Sequence, residues 1–250
     1  MSNNDSLVLS TQIELLISEM GMAPLSDEEY STLMEFVDKI FITEPTIVNG
    51  YGNLYQTRFA NFSGKVTEII KSNQSITDTQ KLIDEVLSTI NNFNEYRRNT
   101  SNPSLVQASY AKAINTIRKC SRSLRNSKIV LETNIGTFKE LLSEVRTCEY
   151  WISMYLLAGK IKINQVNALL ASYRSGDKSR IKNAIVEALV IQSIKSFESK
   201  LESLECTRTS CMQYILSIQM EITNNNSAIT AITSILSSTI PAFEHTHSLF

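Results

Sequence analysis

Apolar side chains recur at alternating steps of three and four along two long stretches of the chain, the pattern of one face of a coiled-coil helix. The first stretch covers residues 110–173 and keeps its phase through Gly159. It predicts one helix of about 70 residues, with two helices broken at Gly159 as the alternative. The second stretch covers residues 194–239. Because no Gly or Pro interrupts residues 177–240, it predicts a second single helix, about 95 Å long.

The connection between these two helices, residues 175–177, reads Ser-Gly-Asp. A Gly suits the left-handed position that follows a helix, and an Asp side chain can cap the next helix. Two long helices joined by so short a turn run antiparallel. The predicted fold class is therefore all-α: an elongated helical bundle built on a long antiparallel coiled-coil hairpin, which covers residues 103–241 with its turn near 175–177.

Local start signals place the other elements. Ser26 with Glu29 three residues later is a capping box that opens a helix over residues 27–41. Asn102 followed by Pro103 is a capping side chain before the residue preferred in a first turn, and it predicts the start of the hairpin.

Two further helices are predicted between these signals. A helix over residues 45–72 carries Gly52 on its buried stripe, which indicates a close approach of another chain segment. Thr77 and Gln80 form a second capping box and open the next helix.

The predicted organisation is a single domain. Residues 9–102 form shorter helices that pack on the hairpin, and residues 1–8 and 242–250 form tails, of which the first is disordered.

Charge and targeting signals narrow the class of protein. The 24 basic and 25 acidic side chains nearly cancel, so the chain has no overall charge that favours nucleic acid, and no specific nucleic acid is expected as a partner. Residues 1–6 are polar and do not resemble a signal peptide, and the longest nearly apolar run, residues 150–159, is far shorter than the roughly 20 residues of a membrane span. The four Cys have no CxxC spacing. We expect a reduced, cytoplasmic protein.

No catalytic, cofactor or metal site is predicted. The only His residues are His245 and His247 near the C-terminus, so neither a Ser-His-Asp triad nor a four-ligand zinc site can be built in the helical body. A turn near 176 would place Cys148 and Cys206 at similar heights on opposing helices, where packed core thiols are favoured over a functional thiol pair. The expectation is a protein that is not an enzyme.

A local concentration of positive charge is the strongest candidate for function. Residues 97–131 contain eight basic side chains and no acid, and their spacing puts Arg118, Arg122 and Arg125 on one helix face. This predicts a face for an anionic partner, either a membrane surface, a polyanion or an acidic protein. The alternative is a solvated face, or one that packs against the acidic helix over residues 27–44.

Polar residues within the two apolar stretches, which we call the apolar seams, form a second candidate for a functional site. With a turn near 176, Lys128 would lie within one helical turn of Asn225. An ammonium and an amide in an apolar seam form a polar layer that selects the register of the two helices. The functional alternative is an anion held by Lys128 and the Asn225 amide.

Several segments recur, in the same order and at near-equal spacing, in the toxic anion resistance family, also called TelA. The resemblance covers residues 47–243 and rests on Tyr51-Gly52, Phe62-Ser63, Tyr155, Ala158 to Lys162, Phe197-Glu198, Leu201, Leu204, Arg208, Gln213, Asn224-Asn225 and Thr239-Ile240-Pro241. The chain departs from the family pattern at residues 216–219, where a Pro-Gln-Ile-Arg is usual, and at Phe243, where a Trp is usual.

The resemblance implies a non-enzymatic, all-helical, cytoplasmic protein of bacterial stress resistance, linked to tellurite, which acts as a scaffold through protein or membrane-surface contacts. It supplies no catalytic residue to carry over. The alternative is a helical adaptor or phage-defence component that shares the fold, and a further one is thiol-based handling of the oxyanion. The hairpin would pair within the chain or self-associate with a second copy.

Overall fold

The computed structural model describes residues 3–72, 75–175 and 184–247, and this described part consists of helices joined by short connections, without a strand. It confirms the predicted all-α class. The helices are α1 (Asn3–Glu19), α2 (Asp27–Lys39), α3 (Pro45–Gly50), α4 (Asn53–Ser72), α5 (Ser75–Asn99), α6 (Pro103–Arg174), α7 (Ala184–Ser234) and α8 (Ile240–His247), with a π-helical turn, Ile235–Thr239, between α7 and α8. None of these described helices combines the length and apolar character that crossing a membrane requires.

Two compact units divide the chain. The first comprises residues 1–63 and 144–215, and the second comprises residues 64–143 and 216–250. Helices α6 and α7 each contribute one part to each unit. The interpretation as a single domain stays a prediction.

Helix α6 is 72 residues long and runs without a break through Gly159, as predicted. A Cβ atom at Gly159 would lie 2.5 Å from Cδ2 of Leu201 on α7. The glycine therefore allows α6 and α7 to approach closely in the first unit, and its place in the seam reflects packing rather than a helix end.

The same contact corrects the predicted register of the hairpin. A tight turn at 175–177 would place Gly159 opposite residue 192, but Gly159 faces Leu201, roughly nine residues further along α7. Helix α6 does end at Arg174, with Ser175 in a turn. Residues 176 and 177 of the predicted turn lie outside the described residues.

The predicted helix over residues 45–72 is broken at Tyr51 and Gly52. Helix α3 ends at Gly50, α4 begins at Asn53, and Gly52 has a φ of 68°, a conformation that favours glycine. A Cβ atom here would lie 2.6 Å from Cδ2 of Leu204. The close approach inferred for Gly52 is therefore confirmed, whereas its position within a continuous helix is wrong.

Two of the three helix starts predicted from capping residues are confirmed. Ser26 and Glu29 form a complete capping box, and the Asn102 side chain accepts hydrogen bonds from the backbone N–H groups of residues 104 and 105. By contrast, α5 begins at Ser75, so Thr77 and Gln80 lie inside the helix rather than at its cap. Gln80 instead donates to Asp84 one turn later.

Both predicted tails contain helix in the described part of the chain. Helix α1 already begins at Asn3, and α8 continues to His247 with Phe243 only 5% exposed. The reason at the C-terminal end is apolar burial, because Phe243 belongs to the core of the second unit. That core also contains Val86, Phe93, Ile117, Leu124, Leu131, Ile232, Ile235 and Ile240.

A π-helical turn widens the spacing between two of the buried residues in this core. The buried residues Ile232, Ile235, Ile240 and Phe243 are separated by steps of three, five and three. The five-residue step is the π-turn, in which the N–H of Ile240 donates to the carbonyl of Ile235. Pro241 follows directly, and its ring lacks an N–H and would clash with the carbonyl four residues earlier in a regular α-helix. The wider turn accommodates it.

Candidate functional site

The predicted face for an anionic partner lies on α6 in the second unit. Arg118, Arg122 and Arg125 are all exposed, and we call these three residues the basic face. The helical period places Ile129 on the same side, one turn beyond Arg125, and 62% of Ile129 is exposed. An exposed β-branched apolar side chain therefore continues a row of guanidinium groups.

Charge pairing leaves most of the basic face open. Arg118 forms an ion pair with Glu244 of α8, with 3.6 Å between Nε and Oε1, and the Arg118 side chain is 64% exposed. In the part of the chain that the structure describes, neither Arg122 nor Arg125 has an ion-pair partner. The ion pair of Arg118 thus joins the basic face to α8.

The candidate polar layer contains one buried residue. Asn225 is fully buried, and its Nδ2 donates to the carbonyl of Glu221 at 2.7 Å on its own helix. Its Oδ1 has no hydrogen-bond partner among the described residues, so it receives no hydrogen bond from the half-buried Lys128. The layer of Lys128 with Asn225 stays a prediction.

The thiols are arranged differently from the expected facing pair. Cys206 is exposed, whereas Cys148 and Cys211 are both fully buried in the first unit. Burial, and then the nearby Cys148 and Glu149, raise the pKa of Cys211 to about 12. Burial likewise raises the pKa of Cys148 and Cys120. Because the thiolate is the nucleophile and the metal ligand, these three thiols are poor reagents for oxyanion chemistry.

Sequence reasoning missed a buried polar centre in the first unit, built around Arg208 of α7. Only 9% of Arg208 is exposed. Its Nε donates to Ser153 Oγ at 2.8 Å and to Glu149 Oε1 at 3.1 Å, and its Nη2 donates to the carbonyl of Met20 at 2.6 Å. Its Nη1 donates to Glu205 Oε1 at 3.4 Å. Each nitrogen of the guanidinium group is therefore engaged, and Arg208 joins α6, α7 and the end of α1.

A cavity of about 240 Å³ adjoins this centre, and Tyr150 and Glu29 contribute to its wall. The Tyr150 hydroxyl donates to Glu29 Oε1 at 2.7 Å. The backbone N–H of Ser26 and then this hydroxyl hold the pKa of Glu29 below its usual value. Burial, and then the hydrogen bond to Glu29, raise the pKa of Tyr150 to about 12. Neither group titrates near neutral pH, so this pair is suited to holding α2 on α6 rather than to proton transfer.

No metal site is formed by the residues that the structure describes, since no three His, Cys, Asp or Glu are placed to share an ion. His245 is exposed on α8, and the side chain of His247 lies outside the described residues. The candidate site residues are thus the basic face in the second unit and the polar centre in the first.

The fold and these sites define an all-helical protein that presents a cationic surface and holds its helices together with a buried arginine. The sequence model of the toxic anion resistance protein (TelA) family matches residues 33–249. The chain belongs to the toxic anion resistance protein (TelA) family, which confirms the resemblance inferred from the motifs. Neither a curated protein nor a solved structure matches the chain.

Proposed function

We propose that this protein contributes to toxic anion resistance, that of tellurite in particular, as a non-enzymatic helical scaffold which docks on an anionic membrane surface through its basic face. Family membership supports the link to toxic anions. The observation that carries the docking step is the combination of exposed Arg118, Arg122 and Arg125 with exposed Ile129 on one helix face.

Physical chemistry favours a membrane surface for this combination. Guanidinium groups are attracted to the negative potential of an anionic leaflet, and each contributes about 1 kcal/mol near the surface. Three of them together contribute about 3 kcal/mol, which is roughly a hundredfold in affinity. An apolar side chain among the cations can enter the boundary between headgroups and acyl chains, as in interfacial helices.

Direct thiol chemistry on the anion receives less support, because the raised pKa values of Cys120, Cys148 and Cys211 disfavour thiolates. A helical adaptor or phage-defence component would use the same face on an acidic protein. Replacing all four Cys by Ser tests the thiol alternative, since we expect undiminished survival on tellurite.

Vesicle co-sedimentation tests the docking step. We expect the protein to sediment with vesicles that contain phosphatidylglycerol and not with vesicles of phosphatidylcholine alone, and high ionic strength should weaken the binding. Reversing the basic face, in R118E/R122E/R125E, should abolish sedimentation while leaving helicity unchanged, because all three side chains are exposed.

A matched control distinguishes the effect of the basic face from the effect of net charge. K65E/K139E/R146E reverses three exposed basic side chains elsewhere, and its net charge changes by the same amount. We expect it to bind anionic vesicles more nearly like the parent. The substitution I129N should weaken vesicle binding without changing charge. Sedimentation of the face variant equal to that of the control variant would contradict the proposal.

A further inference from the structure

A groove in the first unit combines an apolar floor with an excess of negative charge. Its walls come from α1, α6 and α7, and its volume is about 560 Å³. We call it the acidic groove. Its lining residues span eight positions of α6 and seven of α7, which is about 10–12 Å of helix. A groove of this volume and length suits a small organic molecule better than a long partner helix.

The floor of the acidic groove is aliphatic. Leu156 and Ile163 lie seven residues apart on one face of α6, and Leu201 of α7 and Leu16 of α1 complete the floor. Leu16 is half-buried, and the other three are buried. No aromatic side chain is among the described residues that line the groove. The floor therefore suits an aliphatic body and does not provide an aromatic cage for a cation.

Four carboxylates also line the groove: Glu19 of α1, and Glu198, Glu202 and Glu205 of α7. Steps of four and three place the last three on one face of α7. Within the described ranges, Glu19, Glu198 and Glu202 are exposed and have no ion-pair partner. Among the described lining residues, Lys160 of α6 is the one with a positive charge. The groove thus attracts a cation.

Glu205 adds an unmet hydrogen bond to this charge. Its Oε1 accepts from Nη1 of Arg208 at 3.4 Å. Although 45% of the Glu205 side chain is exposed, its Oε2 atom is buried and has no hydrogen-bond partner among the described residues. A buried carboxylate oxygen without a donor costs free energy. A ligand that carries N–H donors on a positive charge would supply the missing hydrogen bond.

We propose that the acidic groove binds a small organic cation, in which a primary ammonium group is carried on an aliphatic body. The aliphatic body lies against Leu156, Ile163 and Leu201. The ammonium group lies among the carboxylates of α7 and donates to Oε2 of Glu205. A quaternary ammonium group fits less well, because it has no N–H donor and the groove has no aromatic cage. This inference is independent of docking on membranes.

Calorimetric titration with four probes tests the site: hexylamine, hexyltrimethylammonium, hexan-1-ol and hexanoate. We expect hexylamine to bind with one site per chain. Hexyltrimethylammonium keeps the charge but lacks the N–H donors, so it should bind more weakly. Hexan-1-ol lacks the charge and hexanoate reverses it, so neither should bind. The proposal would be overturned if hexylamine did not bind, or if hexan-1-ol or hexyltrimethylammonium bound as tightly as hexylamine.

Variants assign the binding to this groove. E198Q/E202Q removes two negative charges at nearly constant shape and should weaken hexylamine binding by about tenfold, because hydrogen bonds to charged groups are the stronger ones. K160Q removes the opposing positive charge and should tighten hexylamine binding by a few-fold. The control E132Q/E140Q removes two exposed carboxylates of α6 in the second unit and should leave binding unchanged.

Hexylamine binding to E198Q/E202Q as tight as to the parent, or weaker binding to K160Q than to the parent, would refute the assignment. Circular dichroism of each variant checks that its helicity equals that of the parent. We expect E198Q/E202Q to retain vesicle binding and R118E/R122E/R125E to retain hexylamine binding, so the two proposals are tested separately.

Discussion

Removing the guanidinium group of Arg208 should destabilise the first unit strongly. The substitution R208M keeps an unbranched apolar stem but deletes the guanidinium nitrogens through which Arg208 joins α7 to α6 and to the end of α1. It leaves the Glu149 carboxylate without its cation, and it leaves the Met20 carbonyl and the Ser153 hydroxyl without a donor.

The geometry sets the size of the effect. Removing one partner of a buried ion pair typically costs about 3–5 kcal/mol, because the remaining charge stays uncompensated. The Glu149 side chain is 25% exposed, so water reaches it. We therefore expect the lower end, about 3 kcal/mol, which corresponds to a fall in Tm of about 6–12 °C for a chain of this size.

Urea unfolding followed by circular dichroism measures this cost. The double variant E149M/R208M also removes the carboxylate that R208M strands and should recover at least half of the loss. The other carboxylate partner, Glu205, is 45% exposed and stays in contact with water. The control R146M changes an exposed arginine on α6, close to Glu149 in sequence, and should alter the free energy of unfolding by less than about 0.5 kcal/mol. A cost of R208M no larger than that of R146M would refute the reasoning.

Three further predictions follow from particular side chains. Gly136 faces open space within α6, whereas Gly159 meets Leu201. In thermal unfolding, G136A should therefore stabilise the protein by about 0.5–1 kcal/mol. G159A should destabilise it by about 1–2 kcal/mol, after the gain in helix propensity is subtracted. The folded pKa of Glu29 is lowered from 4.5, so the stability that the ionised Glu29 gives to the fold is present above that pH and is lost as the pH falls below it. The difference in unfolding free energy between the parent and E29Q should therefore shrink on acidification. A constant difference would contradict this. Breaking the α2 cap with S26A should cost about 1 kcal/mol in urea unfolding.

The long helices were predictable because their signal is local and repeated. Apolar residues at steps of three and four define α6 across Gly159, and one Asn-Pro pair marks its start. The position of Gly52 on a buried stripe likewise indicated close packing, although not the left-handed turn that it forms.

The register of the helices and the buried centre could not be predicted in the same way. A tight turn at residues 175–177 was the simplest interpretation of the sequence, and it misplaced the partner of Gly159 by roughly nine residues. Arg208 occupied one seam position among apolar residues, and its partners Glu149 and Met20 are distant in sequence. The π-turn had a local signal in Pro241, but the wider spacing from Ile235 to Ile240 depends on which residues the core buries.

Survival of cells on tellurite tests the central claim most directly, because it joins the family's function to the basic face. In a strain whose resistance depends on this protein, R118E/R122E/R125E should lose resistance while its abundance in the cell stays at the parent level. K65E/K139E/R146E, with the same change in net charge, should keep it. Full resistance with the basic face reversed would contradict the account, whatever that variant does on vesicles.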